Sequence, residues 1–107
     1  MYGLKNSDLE TICRAFKECP NVTEAILFGS RAKGTHSSGS DIDIALKGNG
    51  LSNTILNLLI FLNQESILPY HFDIIDYHAI DNKELIDHID RVGKSIYKIV
   101  GEKSDIL

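Results

Sequence analysis

Residues 41–46 read Asp-Ile-Asp-Ile-Ala-Leu. This two-residue alternation predicts a strand with Ile42, Ile44 and Leu46 on one face and Asp41, Asp43 and Ala45 on the other. The isoleucine face needs a core. A slip of one residue would bury both aspartates, so this short run sets the register of any sheet that contains it. The two aspartate Cα atoms would lie roughly 6.5 Å apart, with side chains free to converge further. Carboxylates about 4 Å apart repel by roughly 4 kcal/mol at an effective dielectric near 20. Such a pair either stands in water or is compensated by a cation. Oxygen-only ligands favour a hard cation, Mg²⁺ or Mn²⁺. Alone, the pair is a weak motif, and two solvated aspartates are its commoner meaning.

A third acid changes the balance. Asp73 is bracketed by Phe72, Ile74 and Ile75. A carboxylate in an apolar strand costs several kcal/mol unless it is paired or metal-bound. Asp73 is therefore the expected third ligand. Asp76 falls on the opposite face at the strand end and reads as solvated or capping. Three acids from two neighbouring strands suit a two-metal site, which clamps the attacking and leaving oxygens of phosphoryl or nucleotidyl transfer.

The remaining pattern predicts the order α-β-β-α-β-α-β. Leu9, Ile12, Cys13 and Phe16 form a helical stripe, with Asn6 or Ser7 placed to cap it and Pro20-Asn21 to end it. Residues 25–28 form a buried strand stopped by Gly29. Residues 29–40 form a polar loop containing one helical turn. After the turn at residues 48–50, residues 51–66 predict a helix apolar on more than one face. Residues 71–76 predict a third strand. Asp81 and Glu84 resemble a capping box for a helix carrying Leu85, Ile86, Ile89 and Val92, with Gly93 as its stop. Residues 95–99 predict a last strand, and Gly101–Leu107 reads as a frayed tail. The first two strands are joined by too few residues for a crossover helix, so they should be antiparallel. The expected fold is α/β (α+β): a mixed sheet of three or four strands flanked by helices, in one domain spanning residues 1–107 with a core at about 6–99.

The net charge of -4 over 107 residues argues against a broad basic face, and no direct nucleic-acid binding is expected. No apolar run approaches the roughly 20 residues that span a bilayer, and the N-terminus lacks an apolar signal region. Cys13 and Cys19 read as free thiols in a reducing compartment, which points to the cytoplasm. His36, His71, His78 and His88 show no zinc spacing, and His36 reads as a solvated loop residue.

Gly29-Ser30 follows a buried strand directly. Glycine lets the backbone approach a ligand, and the next turn can offer N–H donors to a phosphate. Ser30 adds a hydroxyl. Arg31 and Lys33 are the nearest cations, each able to neutralise a triphosphate and each equally able to be a plain loop charge. Two other phosphate motifs are absent: Gly34 is followed by Thr35-His36 rather than Lys and Ser/Thr, and no GxGxxG occurs.

Gly29-Ser30, ten residues, then Asp41-x-Asp43 resembles the GSx10DxD signature of DNA-polymerase-β-like nucleotidyltransferases. GSRAKG, SDIDIAL and HFDIID further resemble the minimal nucleotidyltransferase subgroup, over roughly residues 6–99. The resemblance implies that Gly29 and Ser30 bind the triphosphate of ATP. It implies that Asp41 and Asp43 hold two Mg²⁺ ions and that Asp73 completes the site beside the attacking hydroxyl. It also implies a partner, a small helical HEPN-type ribonuclease toxin in a hetero-oligomer. The nucleotidyltransferase is then the antitoxin, moving AMP from ATP to a toxin tyrosine. Two alternatives stay open: an antitoxin that acts by binding alone, and a small-molecule nucleotidyltransferase subunit. The five apolar residues at 58–62 cover more than one helix face: either the sheet and a neighbouring helix cover them, or some stay exposed as an interface would.

Overall fold

In the computed structural model, residues 1–99 are described; the tail expected to fray lies outside the described residues. β1 (Val22–Phe28) and β2 (Ile42–Gly48) are antiparallel, with Leu27 opposite Ile44 and Phe28 opposite Asp43. β3 (Phe72–Asp76) runs parallel to β2, with Asp43 opposite Asp73. β4 (Lys94–Lys98) runs antiparallel to β1 on its other side. The order is β3-β2-β1-β4, the mixed sheet that the short connection demanded.

The alternation in β2 divides two layers as expected. Ile42, Ile44 and Leu46 are fully buried, together with Ala25, Leu27, Phe72 and Ile74. Helix α1 (Asn6–Lys17) covers this face through Ile12 and Phe16, and α3 (Ser52–Ile60) covers it through Leu58. On the other face Ile26 and Ala45 meet Ile89 of α4 (Lys83–Val92). Helix α4 covers the Ala45 end of that face and leaves Asp41 exposed and Asp43 half-buried.

Three local expectations need correction. Neither Asn6 nor Ser7 caps α1; both lie inside the helix, Lys5 stands at the N-cap, and no side chain supplies a capping bond. At α4 the cap is Asn82 rather than Asp81: its Oδ1 accepts from the Glu84 and Leu85 amides at 2.9 and 3.2 Å. The predicted helix at 51–66 is α-helical only to Ile60, then widens into a π-helical turn, Phe61–Glu65. That turn presents Asn63, whose Nδ2 donates to the Phe72 carbonyl (3.0 Å) while its Oδ1 accepts from the Phe72 amide (2.7 Å). The amide side chain thus acts as an extra strand residue and pins the start of β3 next to Asp73. Among the described residues no helix is long and apolar enough to cross a membrane. Cys13 and Cys19 are half-buried and free, and burial raises both thiol pKa values.

Candidate active site

Three neighbouring strand ends meet at the open edge of the α4 face. Gly29 follows β1 with φ 77°, the left-handed region that glycine enters at no steric cost. A Cβ there would collide with Asp43 Oδ2, so the absent side chain is what lets the carboxylate lie against the backbone. Ser30 begins α2 (Ser30–Lys33), a single turn closed by Gly34 at φ 81°.

Asp41 precedes β2, Asp43 lies within it, and Asp73 is its registered partner on β3. The Asp43 carboxyl is pushed above the usual carboxylate range. Burial is the main cause, followed by the negative charges of Asp73 and then Asp41; His71 and His88 oppose the shift. Burial and the neighbouring carboxylates thus both disfavour the charged form of Asp43. Asp73 reached this cluster for a different reason from the one its sequence suggested. Phe72 and Ile74 are buried, but they face the opposite side, and Asp73 itself is exposed. Its distinguishing property is register, not desolvation.

Among the described residues no three His, Cys, Asp or Glu side chains are already gathered into a metal cage. The donor set nonetheless fits a hard cation: carboxylates from adjacent strands, one of them with a pKa raised by burial first and by the other two next. Asp76 turns away from this group and caps the short 3₁₀ turn Tyr77–Ala79, accepting from the His78 amide at 3.0 Å.

Arg31 requires correction. Its side chain is only 2% exposed, and its donors are engaged by main-chain carbonyls. Nε and Nη2 fork onto the Ser40 carbonyl at 3.2 and 2.9 Å, Nη1 donates to Tyr2 O at 3.0 Å, and Nη2 reaches Ser38 O at 3.5 Å. The guanidinium also stacks 5.4 Å from the Tyr70 ring centre. Arg31 is thus unavailable to a triphosphate. It ties the turn that carries Ser30 to the residue just before Asp41, so the ten-residue spacer is strapped rather than loose. Ser40 tightens it further, its Oγ accepting from the Ser37 amide at 2.9 Å. Lys33 is exposed and forms no ion pair among the described residues, so it is the cation of the pair that remains open to solvent. His36 is half-buried against Gly3 and Arg31, not solvated as its loop position suggested.

Two histidines without sequence signals enter the site. His71 Nδ1 lies 3.6 Å from Asp41 Oδ1. His88, on α4, accepts from the Gly29 amide through Nε2 at 3.3 Å and sets its ring edgewise against Phe28. His71 was legible only as a neighbour of Asp73, and His88 comes from an element whose packing sequence alone does not specify.

This sheet, with a glycine-serine turn facing registered carboxylates across three strands, is the framework of a nucleotidyltransferase. The family model "Polymerase beta, Nucleotidyltransferase" matches residues 10–100, and the chain belongs to that family. No curated protein matches it. Among solved structures it is similar to a toxin–antitoxin with AMP-PNP, at 26% identity and TM-score 0.68, covering 96% of this chain and 79% of that one. It is also similar to a variant of the MntA–HpeT toxin–antitoxin, at 25% identity and TM-score 0.64, covering 95% and 76%. A tri-AMPylated Shewanella oneidensis HEPN toxin in complex with MNT antitoxin shares the fold at 20% identity and TM-score 0.64, covering 96% and 77%.

Proposed function

We propose that this chain is a Mg²⁺-dependent adenylyltransferase that moves AMP from ATP to a tyrosine of a small helical HEPN-type toxin. It thereby acts as the antitoxin, in the cytoplasm. The observation that carries this reading is the pairing of Asp43 with Asp73 on one side and with the strand leading to Gly29 on the other. Likeness to a toxin–antitoxin with AMP-PNP supports the nucleotide and the partner class.

In this reading Gly29 offers its backbone to the triphosphate, Ser30 its hydroxyl, and Lys33 its charge. Asp41 and Asp43 would hold two Mg²⁺ ions, with Asp73 completing the set; Mn²⁺ offers the same donor preference. When bound, the ions would neutralise charge on the phosphates and on the attacking and leaving oxygens. The tyrosine oxygen attacks the α-phosphorus, the bond to the β-phosphate oxygen breaks, and pyrophosphate leaves. Asp73, exposed at the start of β3, would take the tyrosine proton. Orientation and charge neutralisation then supply most of the rate.

Co-expression with a small helical HEPN-type protein encoded beside it, where one is found, followed by intact-mass analysis, tests the reading. The partner should gain AMP with the parent and none with Asp41→Asn. A partner of unmodified mass beside the parent enzyme refutes protein adenylylation. A second reading, neutralisation by binding alone, draws on the exposed Leu56, Ile60 and Phe61. Phe61 borders a groove of about 490 Å³ between α1 and α3, away from the carboxylates. Under that reading an Asp41→Asn, Asp43→Asn double variant still protects cells, and loss of protection excludes it.

A further inference from the structure

The last residue of β1 paired with β4 is Leu27, opposite Lys94. Gly29 lies beyond that ladder, so β4 supplies no acceptor for its amide. A partly buried N–H without an acceptor is costly. The acceptor comes from α4 instead: His88 Nε2, 3.3 Å from Gly29 N. Accepting through Nε2 requires a neutral ring with its proton on Nδ1. The ring is held on two further sides. Its edge-on contact with Phe28 has centroids 6.2 Å apart at 81°. The next residue, Ile89, is 1% exposed and locks α4 onto Ile26 and Ala45. Asn82 fixes the start of the same helix. His88 is therefore a rigid acceptor aimed at a backbone position that only glycine can occupy beside Asp43.

We infer that His88 is a positioning residue for nucleotide binding, holding Gly29 and the following serine in the conformation that receives the triphosphate. The inference rests on the nucleotidyl-transfer reading for the ligand, but its structural half concerns only the Gly29 amide. Without the acceptor, the turn gains conformers in which Gly29 no longer lies against Asp43. Nucleotide must then select the competent conformer, which weakens binding and leaves the rate of the bound complex largely intact.

The test compares His88→Ala, His88→Phe and His88→Gln in the full chain. Phenylalanine keeps a ring against Phe28 but offers no acceptor; glutamine offers a carbonyl oxygen without the ring. Two quantities are read: hydrogen exchange of the Gly29 amide by NMR, and affinity for AMP-PNP with Mg²⁺ by calorimetry. Transfer at saturating ATP is measured beside them. Loss of one hydrogen bond should weaken AMP-PNP binding roughly five- to tenfold in the Ala and Phe variants. Transfer at saturation should stay within about twofold, as uniform binding requires. Gly29 exchange should quicken in both, and the Gln variant should recover most of both losses. Parent-like exchange and affinity in the Phe variant overturn the inference. So does a fall in saturated transfer at unchanged affinity, which marks a general lesion, or a Gln variant as impaired as Ala. If the parent binds no AMP-PNP, the nucleotidyl-transfer reading fails, and His88's hold on Gly29 is then decided by the exchange rates alone.

Discussion

Asp43→Asn should stabilise the metal-free protein while removing its activity. Asp43 is half-buried, its Cα is paired with that of Asp73, and Asp41 lies two residues before it. Its carboxyl is raised by burial first and by Asp73 and Asp41 next, with His71 and His88 opposing. Asp41 and Asp73 are exposed, so the water-like limit governs the repulsion. Unit charges about 5 Å apart then repel by about 0.8 kcal/mol, and salt screens this further. Two such repulsions, discounted for solvent screening, leave a gain of about 1 kcal/mol on replacing the charge by an amide of the same shape. For a domain of this size that raises the Tm by about 4–8 °C. The pH dependence follows from the direction of the shift. A raised folded-state pKa means that the fold favours the protonated acid. The stability Asp43 contributes is present in full below the ordinary carboxylate range and is lost as pH rises through the raised value. The advantage of the Asn variant should therefore be near zero at acid pH and grow towards neutrality. The assay is thermal unfolding in chelator across that range, repeated with Mg²⁺. Magnesium should raise the Tm of the parent and leave the Asn variant nearly unchanged. An Asn variant less stable than the parent at neutral pH in chelator would falsify the view of Asp43 as an uncompensated acid.

Replacing Arg31 by Met strands the Tyr2, Ser38 and Ser40 carbonyls, and chemical denaturation should show a loss of about 3 kcal/mol or more. Arg31→Lys should recover only part of it, because an ammonium cannot fork onto Ser40. Gly29→Ala combines left-handed strain of about 1–2 kcal/mol with a collision at Asp43 Oδ2, and transfer should fall by about two orders of magnitude in a rate assay. Asn82→Ala should cost about 1 kcal/mol in denaturation, whereas Asp81→Ala should stay within about 0.5 kcal/mol; equal losses would return the cap to Asp81.

The parts legible in the sequence are those encoded by local periodicity. Residues 41–46 carry their own register, and the short first connection dictates an antiparallel pair. The position of Asp73 was also readable, but its apolar neighbours were misread as its surroundings, although adjacent residues on a strand face opposite sides. Arg31 could not be read, because its partners are carbonyls at residues 2, 38 and 40 that converge only after the loop folds. Asn63 substitutes for backbone through a side chain, and no residue pattern announces that. His88 meets Gly29 directly, but it is brought there by the packing of Ile89 on another element, which no local pattern announces. At α4 two adjacent residues are both able to cap, and the helix begins so that the second one does.

In the proposed function Asp41, Asp43 and Asp73 serve transfer of a nucleotidyl group rather than a terminal phosphate. Incubating the chain and the proposed HEPN-type partner with ATP labelled at either the α- or the γ-phosphate distinguishes the two. The α label should become covalently attached to the partner, the γ label should be released in pyrophosphate, and Asp43→Asn should abolish both. Attachment of γ label, or α label undiminished in the Asp43→Asn variant, would contradict the proposed function.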